Sequence, residues 1–420
     1  MAHITLIRPP QVMPSDVLTV SQGVPSIGVA YLAAALKHSG HEVTIIDALA
    51  EGLDRFRELK NTRLQVNGIS AEEIAAKIPS YTDIIGISAM FSNEWIYTKF
   101  VIKTVYSSFP NIPIIAGGEH ITADPEYSLN SVPEITAAAR GEGEEVIVDL
   151  VNTIISQGEL SNVPGINYID DEGKHHSTPD RMRIKAVDDV SWPAWDLYPI
   201  EKYLDAGFGF NVLRGRPMPM MASRGCPYQC TFCSNPLMWT TKWLAREPKD
   251  VIKEMKYYIE KYNIDHVEFY DLTTIVKKSW IVEFTKELIK ENIQINWSLP
   301  SGTRSEALDQ EVLYLLKETG CKKLTYAPES GSAKTLKRIK KVVKIPRMLK
   351  SIRFCVKAGI SVKSNIIFGF PGQTLIEVLE TYVFMMKAAF VGMNDVSVFS
   401  FVPYPGSQLF FELVELFCKP

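Results

Sequence analysis

The chain has 420 residues, of which 46% are hydrophobic and 22% charged, and its 45 Lys and Arg against 48 Asp and Glu leave a net charge of −3. That length exceeds what one hydrophobic core serves, so two or more domains are expected. The near-neutral balance gives no electrostatic reason to expect nucleic acid as a partner, and no apolar run reaches the roughly 18 residues of a membrane span.

In chain order, the first block alternates short apolar runs with amphipathic stretches. Strands are predicted at 4–8, 42–46, 83–88, 112–116 and 135–139, and helices at 27–38, 71–78, 94–109 and 144–156. Strands interleaved with helices indicate a parallel sheet wound on both faces. Ligands of such sheets bind beyond the carboxyl ends of the strands. Here three successive ends carry small or polar residues: Ser88-Ala-Met90, Gly117-Gly118 and Gly141-Glu142-Gly-Glu144. Each glycine alone is explained by a tight turn, but three successive ends favour close backbone approach to a bulky ligand. His38 and His41 flank a helix C-terminus, where surface positions are expected.

Residues 158–214 read as a linker. A β-hairpin is expected around Asp171-Glu-Gly173, and the aromatic segment Trp192-Pro-Ala-Trp195-Asp-Leu-Tyr-Pro199 is expected to pack its rings between two domains.

The second block repeats the strand-helix unit six times, with strands at 218–222, 266–270, 294–299, 322–327, 361–368 and 395–401. Six units are too few for a closed eight-stranded barrel. Candidate functional residues again fall at strand ends: Asp271, Arg304, Glu329-Ser-Gly331 and Gly369-Phe-Pro-Gly372. A bidentate guanidinium such as that of Arg304 suits a carboxylate, although a surface ion pair or a helix cap explains a lone Arg or Asp equally well.

Directly after the first of these strands comes Ser223-Arg-Gly-Cys226-Pro-Tyr-Gln-Cys230-Thr-Phe-Cys233. Three thiolates on one loop suit a 4Fe-4S cluster, for which a full set of protein ligands would be four. One iron is then left open. A zinc site would pair a second C-x-x-C or add histidines at short spacing, yet the next histidine is His266. Six cysteines in the whole chain are too sparse for a disulfide framework, and no charged and then apolar leader opens it, so a reducing cytoplasmic setting is expected. Cys321 and Cys355 read as core thiols, and Cys418 as a thiol near the chain end, with a role as fourth ligand the alternative.

The C-x-x-x-C-x-x-C loop, with Phe232 before its third cysteine, resembles the signature of the radical S-adenosylmethionine superfamily. The resemblance implies that S-adenosylmethionine chelates the open iron and is cleaved by one electron to a 5′-deoxyadenosyl radical. It further implies that Glu329, in Ala-Pro-Glu-Ser-Gly-Ser, binds the ribose. Arg304 would meet the methionine carboxylate, Asp271 the methionine amine or the substrate, and Gly369 to Gly372 would turn near the adenine. Ser88-x-Met90, followed after 26 residues by Gly117-Gly118, resembles a cobalamin-binding domain, as do the run from Pro25 to Leu36 and Gly141-Glu142-Gly-Glu. That family's D-x-H-x-x-G motif is absent, which implies a cobalt with no histidine beneath it.

Together these resemblances imply an α/β chain: a Rossmann-like doubly wound sheet binding cobalamin over 1–157, a linker over 158–214, and a partial (β/α)6 TIM-type barrel over 215–420. The implied function is methylation of an unactivated carbon, or phosphorus, of a small-molecule or lipid substrate through the 5′-deoxyadenosyl radical and methylcobalamin. The alternatives are an oxidative cyclase or rearrangement enzyme of tetrapyrrole type and a non-catalytic cobalamin or cluster sensor. A flavodoxin or ferredoxin-type reductant is the implied partner. Relatives commonly continue into a helical domain, so the short C-terminus is expected to mark either a minimal member or a truncation.

Overall fold

The apolar run His3–Arg8 (β1) is buried along almost its whole length because it lies inside a parallel sheet, paired on one side with Glu42–Asp47 (β2) and on the other with Ile84–Ser88 (β3). The sheet continues through Ile114–Gly117 (β4) and Ala137–Ala139 (β5), and ends in the antiparallel hairpin Ile166–Ile169 (β6) and His175–Ser177 (β7). Strand order is β7-β6-β5-β4-β3-β1-β2. Helices Ile27–His38 (α1), Trp95–Ser108 (α2) and Gly143–Ile155 (α3) bury their apolar stripes on this sheet.

This computed structural model describes residues 1–16, 23–210 and 215–417; Cys418 lies outside them. The chain forms two units, Met1–Lys185 with Asp189–Tyr203, and Ala186–Asp188 with Leu204–Pro420. The expected hairpin is present, and it extends the first sheet along β5. The aromatic segment belongs to the first unit. Ala194 N–H donates to Ala30 O (2.9 Å), and Trp195 is fully buried, 5.2 Å from the ring of Tyr198. His41 is also buried, with Nε2 3.2 Å from Asn152 Oδ1, so only His38 of that pair lies at the surface. An antiparallel sheet of Gln11–Pro14, Leu64–Asn67 and Phe56–Glu58 was not legible, because its strands are three or four residues long and too short to display a period.

In the second unit, Pro217–Met220 (β8), His266–Phe269 (β9), Asn296–Thr303 (β10), Cys321–Glu329 (β11), Ser361–Phe368 (β12) and Asp395–Ser400 (β13) pair in that order, all parallel. Among the described residues β8 and β13 do not pair with each other, so the barrel is open. The helix Lys278–Lys290 packs on these strands through Phe284, which meets Phe269 and Trp297 edge to face at 5.7 Å, as those two meet each other at 6.0 Å, a geometry worth about 1 kcal/mol per pair beyond burial. No helix among the described residues is long and apolar enough to cross a membrane.

Candidate active site

The cysteine loop leaves β8 through Ser223–Arg224 and a glycine, Gly225, at φ +80°. Hydrogen bonds from three directions fix it. Cys233 N–H donates to Cys230 O (3.1 Å) and Thr231 N–H to Ile339 O (3.1 Å), while Thr231 O accepts from Leu409 N–H (2.9 Å). Asn235 donates through Nδ2 to Cys226 O (3.2 Å). The three thiols are half-buried, and Cys233 Sγ accepts from Asn235 N–H (3.5 Å). Burial pushes the Cys226 and Cys230 thiols up, and the cations of Lys341 and Arg304 pull them back toward the thiolate that a metal requires.

Among the described residues no three Cys, His, Asp or Glu side chains converge enough to hold one metal ion. A cubane takes one thiolate on each of three irons, so three spaced thiols with cations beside them fit it.

Glu329 ends β11 at φ +65°, an uncommon left-handed conformation for a residue other than glycine and one associated with functional sites. The turn after it is clamped by Thr381. The Thr381 hydroxyl lies 2.9 Å from Ser330 Oγ and accepts from Gly331 N–H (3.1 Å). A Cβ on Gly331 would come within 2.4 Å of Phe384 Cβ, so the turn can press this closely only with glycine. The Glu329 carboxylate accepts from Lys341 Nζ at 2.9 Å, both side chains nearly buried. Lys341 was not found by sequence reasoning, since it sits in a lysine run that reads as a solvated face. Removing its charge as Lys341→Met is expected to lower unfolding stability by about 3 kcal/mol, because it strands a buried carboxylate. The double variant with Glu329→Gln should recover most of the loss in urea titrations; equal loss in single and double variants would disprove the coupling.

Arg304 lies just past β10 with its guanidinium 3.9 Å from the ring centre of Tyr228, inside the cysteine loop. It also pairs with Glu306 (3.2 Å) and donates to Val342 O. Arg304, Glu329 and the cysteines therefore share one neighbourhood. Asp271 does not present a free carboxylate. It is fully buried, accepting from Ala222 N–H (3.1 Å) and the Ser223 hydroxyl (2.5 Å), and burial pushes it up to about 6. It braces the entry to the cysteine loop, as does Arg246, which donates to Met221 O (2.8 Å). Phe232 packs at 5.6 Å from Phe370. Gly369 and Gly372, both at positive φ, turn the chain beyond β12.

In the first unit, Ser88 and Gly117 sit opposite each other in register at the ends of β3 and β4. Ala89 N–H donates to Gly117 O (2.7 Å) and His120 N–H to Ala89 O (3.2 Å). Gly118 has φ +124°, and a Cβ there would lie 2.6 Å from Ala89 O. The motif is thus one structural unit, with Met90 and Phe91 exposed beside it. His120 is buried, its Nδ1 2.9 Å from Ser92 Oγ and its ring 4.6 Å from that of Trp95; burial lowers it to about 4 and keeps it neutral. Glu142 does not stand free. From the N-cap position of α3, where its side chain makes no capping hydrogen bond, it accepts from Arg183 Nε (3.1 Å) and Ile184 N–H (3.0 Å). At the end of the edge strand β2, Asp47 accepts from Tyr203 OH (2.8 Å), Tyr198 OH and Arg8 (3.2 Å).

The family model described as the Radical SAM superfamily matches residues 220–385, and that of the B12 binding domain matches residues 15–151. An uncharacterized methyltransferase of Pyrococcus horikoshii is 30% identical over 388 residues, covering 92% of this chain and 77% of that protein. The cytidylyl-2-hydroxyethylphosphonate methyltransferase of Streptomyces wedmorensis is 27% identical, with the same coverages. The anaerobic magnesium-protoporphyrin IX monomethyl ester cyclase of Rubrivivax gelatinosus is 28% identical, covering 94% and 67%. In fold the chain is similar to the radical S-adenosylmethionine methyltransferase TsrM of Kitasatospora setae, solved with cobalamin and a [4Fe-4S] cluster. The TM-score is 0.75 at 14% identity, over 99% of this chain and 75% of that one.

Proposed function

Because this chain belongs to the radical S-adenosylmethionine enzymes that also carry a cobalamin-binding domain, we propose that it transfers a methyl group to an unactivated carbon, or phosphorus, of a small-molecule or lipid substrate. The observation that carries the reading is the pairing, on one chain, of a three-thiol loop with the in-register Ser88 and Gly117-Gly118 strand ends. Its cofactors are a 4Fe-4S cluster, S-adenosylmethionine and cobalamin; when bound they supply radical initiation and methyl carriage.

The chain's own work is to bind, orient and exclude water. Cys226, Cys230 and Cys233 would hold the cluster, with Lys341 and Arg304 offsetting its negative charge. Glu329 would accept hydrogen bonds from the ribose, held in place by Lys341 and the Thr381 clamp. Arg304, stacked on Tyr228, would reach a carboxylate only by trading its contact with Glu306 or Val342. Ser88, Gly117 and Gly118 would let the backbone approach the corrin and its tail. Asp271 would act indirectly, by fixing the loop.

The 28% identity to a cyclase favours a second reading, oxidative ring formation. To separate the two, the reconstituted protein is reduced with dithionite and given S-adenosylmethionine with a deuterated methyl group. Appearance of S-adenosylhomocysteine with a labelled corrin is the expected result. Formation of 5′-deoxyadenosine with no S-adenosylhomocysteine would sink methyl transfer in favour of cyclisation.

A further inference from the structure

Between Glu329 and Glu377 lie 11 Lys and Arg and no Asp or Glu, which leaves 34 cations against 48 acids, a net charge of −14, for the rest of the chain. This concentration is not spread around the fold. On the helix Ile345–Lys357 (α5), Met348, Ser351, Ile352 and Cys355 face the core, while Arg347, Lys350, Arg353 and Lys357 are exposed, continuing from the capping residue Lys344. At about 100° per residue Arg347, Lys350, Arg353 and Lys357 fall within an arc of roughly 120° on the side away from the core, a stripe about 15 Å long. Lys334, Lys337 and Lys340 extend it along Ala333–Arg338 (α4) and its end. Among the described residues of the stripe only Arg338 forms an ion pair, with Glu377 at 2.8 Å. Arg347 donates to Glu306 O (2.6 Å) and lies near Asp309, and Lys340 donates to Gln408 (2.8 Å). A helix face that was merely solvated would interleave both signs.

The segment joining the two helices is also a wall of the cysteine loop. Ile339 O accepts from Thr231 N–H (3.1 Å), Lys341 Nζ lies 5.9 Å from the Phe232 ring centre, and Val342 O accepts from Arg304. Leu336, Ile339 and Ile345 pack in one small core with Phe232. The stripe therefore runs into a segment that is hydrogen-bonded to the thiol loop.

We propose that this stripe is the docking surface of an acidic one-electron carrier protein, of flavodoxin or ferredoxin type. The inference rests on the radical reading only in that the centre must accept an electron. One electron would leave the reduced carrier, oxidising it by one, for the cluster that Cys226, Cys230 and Cys233 would hold. Charge complementarity raises the encounter rate and fixes the register in which the donor meets the loop. Arg347 and Lys350 do line one cavity, but its wall also carries the Asp309 carboxylate and the apolar Leu308 and Phe354, which do not suit a phosphate, and the other cations of the two helices lie outside it. The dispersed stripe favours a macromolecular acidic face.

The test uses the reconstituted full chain and the variant Lys344→Glu/Lys350→Glu/Arg353→Glu/Lys357→Glu, with the milder Lys-to-Gln and Arg-to-Gln set as a second variant should the first fold poorly. Binding of oxidised flavodoxin is read by fluorescence anisotropy across a salt series, with a ferredoxin as the alternative probe. Formation of 5′-deoxyadenosine is followed with photoreduced carrier and, separately, with dithionite. Expected are salt-sensitive wild-type binding, at least tenfold weaker binding and carrier-driven turnover in the variant, and dithionite-driven turnover within twofold of wild type. Unchanged carrier binding in the variant, or equal loss with both reductants, would overturn the proposal. So would tight binding of an RNA with no binding of either carrier, which would mark a nucleic-acid surface. No deoxyadenosine from wild type even with dithionite would overturn the radical reading, and this inference with it.

Discussion

Cys230→Ala is expected to reduce 5′-deoxyadenosine formation at least a thousandfold, equivalent to about 4 kcal/mol of barrier. The reason is ligand arithmetic. The loop offers three thiolates to a centre that would take four, and none of Cys321, Cys355, His120 or His266 lies in the loop to substitute. Cys321 and Cys355 are fully buried, and Cys355 is bonded to Tyr326 OH at 3.3 Å. The half-buried thiol contributes little to packing, so the stability change should stay near 1 kcal/mol. Iron and sulfide content should collapse while cobalamin binding persists, since Ser88 and Gly117-Gly118 belong to the other unit. A full complement of iron in the variant would contradict the assignment of the cluster to this loop.

Gly118→Val is expected to destabilise the first unit by about 3 kcal/mol and to weaken cobalamin binding more than tenfold. The backbone at φ +124° is unfavourable for any side chain, and a Cβ would meet the Ala89 carbonyl at 2.6 Å. The neighbouring position supplies the control. At Gly117 a Cβ would rest 3.5 Å from Ala139 Cβ in ordinary contact, so Gly117→Ala should fold like the parent. If Gly117 lies against the corrin tail, that variant alone should lose affinity without losing stability. Visible-absorbance titration with hydroxocobalamin, paired with thermal unfolding, separates the two effects; full affinity in both variants would remove these glycines from the binding site.

Much of this was legible because local pattern and function coincide. The 26-residue gap between Ser88-x-Met90 and Gly117-Gly118 encodes a strand end, the helix α2 and a second strand whose end falls in register with the first. The cysteine spacing encodes a loop directly, and the sixfold strand-helix period encodes the open barrel. Tertiary contacts were not legible. Lys341 looks like one more solvated lysine until the fold brings Glu329 to it. Thr381 and Arg246 are ordinary helix and loop residues in sequence, yet they clamp the two turns that shape the site. Asp271 and Glu142 were placed correctly at strand ends, but the fold spends their carboxylates on backbone N–H groups of neighbouring segments, which one-dimensional spacing does not reveal.

The most direct test of the central claim is anaerobic reconstitution with iron, sulfide and hydroxocobalamin, reduction by dithionite, and quantification of S-adenosylmethionine products by mass spectrometry. The account predicts both 5′-deoxyadenosine and S-adenosylhomocysteine, the first lost in Cys230→Ala and the second lost when cobalamin is omitted. An intact cluster that yields neither product would contradict it.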